Sequence, residues 1–103
     1  MQFQHGDVLL ETVEAMPDGL EKVERTERGF VLAEGEVTGH AHTVAQDIQL
    51  YKDKDGTMYL KSDKPFTLRH QEHAAIRFLP GIFRVFRVRE YDHLAEMERR
   101  VAD

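Results

Sequence analysis

Period-two alternation of apolar and polar positions dominates the first ninety residues, as expected for strands with one buried face. The segment "GDVLLETV", residues 6–13, predicts a strand. It ends at "MPDGL", where Pro17 presets φ and Gly19 tolerates a positive one. The charged stretch "EKVERTERG" reads as an exposed strand with Val23 inward, or as a loop. "FVLAEGEV", residues 30–37, predicts a strand interrupted at Gly35, where a glycine suggests a bulge or close backbone approach.

The hairpin signal is sharper. "DIQLYK" and "TMYLKS" flank the turn "DKDG". "KPFTLRH" adds a strand with Phe66 and Leu68 on one face, and "AAIRFLPGIFRVFRVREY" one or two more, broken at Pro80-Gly81. The period then changes. In "DHLAEMERRVAD", Leu94, Met97 and Val101 share a helical face, Asp92 suits an N-cap, and Arg99 and Arg100 suit the C-terminal end. The expected fold is mainly β: a small single-domain barrel or sandwich over residues 1–103, with strands across about 6–90 and a C-terminal helix at about 92–102.

Composition narrows the function classes. The chain has 103 residues, 41% hydrophobic and 32% charged, which suits one globular domain. Fourteen basic against nineteen acidic residues give a net charge of −5, which disfavours general nucleic-acid binding. The absence of cysteine removes disulfides, thiolate metal sites and cysteine nucleophiles, and fits a reducing cytoplasm. The N-terminal stretch has none of the features of a signal peptide, no apolar run is long enough to span a membrane, and a cytoplasmic location is expected. Ser62, the only serine, lacks a glycine elbow. Arg77, Arg84, Arg87 and Arg89 alternate with Phe78, Phe83 and Phe86. This could be a single-strand nucleic-acid surface, but a core strand with paired arginines is the better reading.

Histidines carry the candidate chemistry. His40 and His42 share a face if "HAHTV" is extended. His70 and His73 converge only if "HQEH" forms a turn or strand end, which leaves Glu72 free to be a ligand, a partner to an imidazole or a proton acceptor. The expected metal ligands are therefore His40, His42, His70 and His73, with Glu72 as catalytic candidate. The ion would be divalent zinc, iron, manganese or nickel, acting on a bound water. The same four residues could instead be solvated or structural, or form a pH-sensitive group. On that alternative the chain is a non-catalytic assembly or adaptor module, self-associating through a sheet edge or the helix. His5 and His93 read as surface histidines, and Asp47 as a turn residue.

Gly35, His40, His42, Asp47 and Gly56 follow an order that resembles the first cupin motif, although the acidic residue is Asp and no histidine follows Pro80-Gly81 in the cupin manner. Over most of its length the chain resembles small bacterial proteins of unknown function, through "GDVLL", "GEVTGHAH", "HQEH", "LPGIFRV" and "REY". That resemblance implies that the two histidine pairs belong to one feature, and implies no activity.

Overall fold

In the computed structural model, residues 1–35 and 39–88 are described. They form ten strands: β1 (Gln2–His5), β2 (Val8–Thr12), β3 (Glu21–Lys22), β4 (Phe30–Glu34), β5 (Ala41–Val44), β6 (Gln49–Lys52), β7 (Met58–Ser62), β8 (Phe66–Arg69), β9 (Ile76–Phe78) and β10 (Gly81–Arg87). Two antiparallel sheets result, ordered β1-β2-β10-β7-β6-β3 and β4-β5-β8-β9. The expectation of a mainly β chain holds. Among the described residues there is no closed barrel: the strands divide into two open sheets whose inward rows pack on one another. The expected helix at 92–102 lies outside the described residues.

The core is the period-two pattern made physical. Val8, Leu10, Leu50, Leu60, Phe83 and Val85 from the larger sheet meet Phe30, Leu32, Val44, Phe66, Leu68 and Phe78 from the smaller. The phenylalanines join the layers. Phe66 stacks on Phe78 at 5.1 Å between ring centres, and Phe83 meets both rings edge-on at 5.6 and 5.5 Å. Such pairs add to the area they bury. Phe78, Phe83 and Phe86 are all buried, so none offers a face for a base to stack on. Arg84 and Arg87 pair with Glu11 at 2.7 Å and Asp7 at 2.9 Å.

The predicted hairpin is present as β6 and β7, in register Leu50↔Leu60. Asp53 Oδ1 accepts from the backbone N–H groups of Asp55 and Thr57, closing the turn before β7. Three strands depart from the sequence reading. β1 was not expected at all, and residues 6–7 are a turn rather than the start of β2. The irregularity of β4 falls between Val31 and Ala33, not at Gly35. Gly35 is the close backbone approach that the sequence offered as the other alternative: its N–H donates to the His40 carbonyl at 2.7 Å, and a Cβ there would sit 3.0 Å from that of His40.

Candidate functional site

The inward rows of three strands each end in a histidine. On β8, Phe66 and Leu68 face the core, and His70 is the next position of the same parity. On β5, Val44 is fully buried and His42 precedes it by two. On β1, Phe3 packs on the core and His5 follows by two. The hydrophobic stripes therefore run out, at one end of the two sheets, into imidazoles.

His5, His42, His70 and His73 form a contiguous group. His42 lies 4.4 Å from His70 and 6.0 Å from His73 between ring centres, and His70 lies 4.7 Å from His73. His5 stands 5.1, 6.4 and 5.7 Å from His42, His70 and His73. His40 joins at the rim, 5.6 Å from His70. The "HQEH" segment bends between β8 and β9, which is what brings His70 and His73 together. Gln71 ties this bend to β5: its side-chain oxygen accepts from the Ala41 N–H at 2.9 Å, and its amide donates to the Gly39 carbonyl at 3.2 Å.

His5 was expected on the surface and is buried instead, with 3% exposure. A tight turn puts it there. Gly6 has φ +61 and Asp7 does not have a positive φ, which is the pattern of a II′ hairpin turn. This β1–β2 tip packs into the histidines so closely that a Cβ on Gly6 would sit 2.6 Å from His73 Nε2 and 3.2 Å from His42 Cε1. The available signal was "QFQHGDVLL", in which a glycine separates two alternating runs.

The hydrogen bonds define the protonation of the two buried rings. His5 Nε2 lies 2.8 Å from the Ala74 carbonyl oxygen, which can only accept, so Nε2 carries the hydrogen. His42 Nε2 lies 3.0 Å from Asp7 Oδ1. Burial works to raise the Asp7 pKa, but the hydrogen bond from His42 and the nearby Arg87 guanidinium outweigh it and hold the carboxyl below its ordinary range. Asp7 is thus an ionised acceptor, and His42 Nε2 carries the hydrogen as well. Burial pulls His42 down to about 4 against the opposing bond to Asp7. Burial also lowers His5, against its bond to Ala74. Both rings are then neutral near pH 7, and both Nδ1 atoms hold lone pairs. Those two atoms are 3.0 Å apart.

The outer residues are wetter. Glu72 N–H donates to His70 Nδ1 at 3.0 Å. Glu72 itself is exposed, with Oε1 3.6 Å from His40 Nδ1, and that nitrogen is buried without a hydrogen-bond partner among the described residues. An open pocket of about 440 Å³ is lined by Gln4, Asp7, His40, His70, Glu72 and His73, with Gly6, Gly35 and Val88 completing its wall. Asp47 is exposed beside Arg25 at 3.9 Å, and the carboxylate bonded to a buried imidazole is that of Asp7. Among the described residues, no three or more His, Asp or Glu side chains are grouped as a ready-made metal site. Nor does any helix there have the length and apolarity to cross a membrane.

Residues 4–88 match the family described as Domain of unknown function (DUF8820). No curated protein matches the chain, and no solved structure does.

Proposed function

The chain belongs to that family of unknown function, and from the geometry of its imidazoles we propose that it is a divalent-metal-binding protein with its site at the end of the core. One observation carries the reading. The Nδ1 atoms of His5 and His42 stand 3.0 Å apart, and the Nε2 atom of each ring lies within hydrogen-bond distance of an oxygen acceptor; with both rings neutral and protonated on Nε2, both Nδ1 atoms carry lone pairs. Lone pairs so placed repel unless a positive charge lies between them. Metal-bound histidines commonly donate their second N–H to a carboxylate or backbone carbonyl, as His5 and His42 do here. Two zinc–imidazole bonds of roughly 2.0–2.1 Å do not fit end to end in 3.0 Å, so an ion held by both rings would sit to one side of the line between the two nitrogens. Water and the neighbouring His70 or His73 would complete the shell. His40 and Glu72 line the adjoining pocket, and Glu72 is the group there that could take a proton from a metal-bound water.

The second reading is a non-catalytic module whose histidines are structural. Its support is the absence, among the described residues, of three grouped donors. In that case a shared proton, rather than an ion, lies between the two Nδ1 atoms.

Calorimetric titration of chelator-stripped, untagged protein with Zn²⁺, Mn²⁺ and Ni²⁺ separates the two. One saturable site, lost in His5→Ala and in His42→Ala, supports the metal reading. No binding, or binding unchanged in both variants, overturns it.

A further inference from the structure

Among the described residues, Asp7 is the side chain bonded to the far nitrogen of His42, and through donor and acceptor arithmetic it decides what the buried pair needs. A neutral imidazole has one N–H and one lone pair. If His42 carried its hydrogen on Nδ1, it could donate to the bare Nδ1 of His5 at 3.0 Å, and the pair would be satisfied with nothing added. What prevents this is the acceptor on the other side of the ring, Asp7 Oδ1 at 3.0 Å. Its second oxygen accepts from Arg87 at 2.9 Å. Arg87 also donates to the Glu34 carbonyl at 2.9 Å, so the end of β10 is fastened to the end of β4 and the carboxylate is held in place. The Val88 N–H donates to the Asp7 carbonyl at 2.8 Å, securing the turn from the same strand.

We propose that Asp7, held by Arg87, is the positioning residue that fixes His42 with its hydrogen on Nε2 and so leaves the His5–His42 pair open to a cation. This deepens the metal reading and rests on it for its purpose, while the tautomer it specifies exists in the metal-free protein. The carboxylate need not touch the ion. It acts through the ring of His42 by deciding which nitrogen is bare.

Asparagine at this position makes a sharp test. Arg87 can only donate, so it would take the amide oxygen and turn the NH₂ group toward His42. His42 Nε2 would then accept, its hydrogen would move to Nδ1, and the two histidines would bond directly. The experiment is long-range ¹H–¹⁵N correlation of the imidazoles in chelator-stripped, ¹⁵N-labelled protein at pH 7.5, followed by Zn²⁺ titration. The wild type is expected to show His42 as the Nε2–H form and Asp7→Asn as the Nδ1–H form, with zinc affinity about 10- to 100-fold weaker in the variant, the range for removal of such partners. Asp7→Ala, which removes the acceptor without adding a donor, is expected to move the hydrogen in the same direction and serves if Asp7→Asn does not fold. Arg87→Lys keeps a donor for Asp7 and is expected to keep the wild-type tautomer. A wild type already in the Nδ1–H form, or Asp7 variants that leave the tautomer unchanged, overturns the proposal. A wild type in the Nε2–H form that binds no zinc, with the hydrogen shifted in the variants, supports the role of Asp7 and overturns the metal reading alone.

Discussion

His5 and His42, 37 positions apart in sequence, bring their Nδ1 atoms to 3.0 Å in the buried end of the core. Each ring is also held from its far side. His5 is anchored by the Ala74 carbonyl and His42 by Asp7.

Acid should destabilise the metal-free protein. Burial holds His42 at about 4 in the fold, below the 6.5 of an unperturbed imidazole. Between those values the unfolded chain binds the extra proton and the folded chain does not. Stability is then fully present above pH 6.5 and falls as pH drops toward 4, by about 3 kcal/mol from this residue. Asp7, also depressed, loses its contribution at still lower pH with the same sign. Urea denaturation at pH 7.5, 5.5 and 4.5 checks this, with His42→Leu as the flatter control. A stability that rises on mild acidification would mean that the pair already shares a proton.

Gly6→Ala tests the hairpin tip. The backbone is at φ +61, where a non-glycine residue costs about 1–2 kcal/mol, and the new methyl would fall 2.6 Å from His73 Nε2. A urea midpoint should show the loss, and the imidazole resonances of His73 should shift. An unchanged midpoint with unchanged resonances would contradict the packing of this turn into the site.

Phe66→Ala removes a ring with 1% exposure that stacks on Phe78 and meets Phe83. The cavity left between the sheets should cost about 3–5 kcal/mol, read by urea denaturation at neutral pH. A loss below 1 kcal/mol would mean that the two sheets do not share this core.

Gln71→Ala cuts both side-chain bonds that hold the "HQEH" bend to β5. The expected loss of global stability is small, about 1–2 kcal/mol. The effect on the ring contacts of His70 should be larger, seen as broadened or shifted imidazole signals. Intact signals would show that the bend holds without it.

Much of the fold could be read from alternation, because a strand buried on one face writes its pattern in period two. The Leu50/Leu60 hairpin and the inward pair Phe66 and Leu68 were legible for that reason. Extending the same parity by one step also places His70, His42 and His5 at the ends of core rows, but a polar residue at that step reads equally well as the end of the strand. His5 was misplaced because β1 is short and mostly exposed, and its burial depends on the Gly6 turn folding it under the "HQEH" bend. Asp7 was invisible as a partner for the same reason. Its meaning comes from a ring 35 positions away and an arginine 80 positions away. Alternation left the barrel and the sandwich both open, since it fixes which face of a strand is buried and not which strands become neighbours.

The most direct measurement is the metal content of untagged protein, by elemental mass spectrometry, beside His5→Ala, His42→Ala and His40→Ala variants. The account predicts close to one divalent ion per chain in the wild type, lost in the first two variants and only partly reduced in the third. A wild type that holds no ion after reconstitution with zinc, iron, manganese and nickel would contradict it.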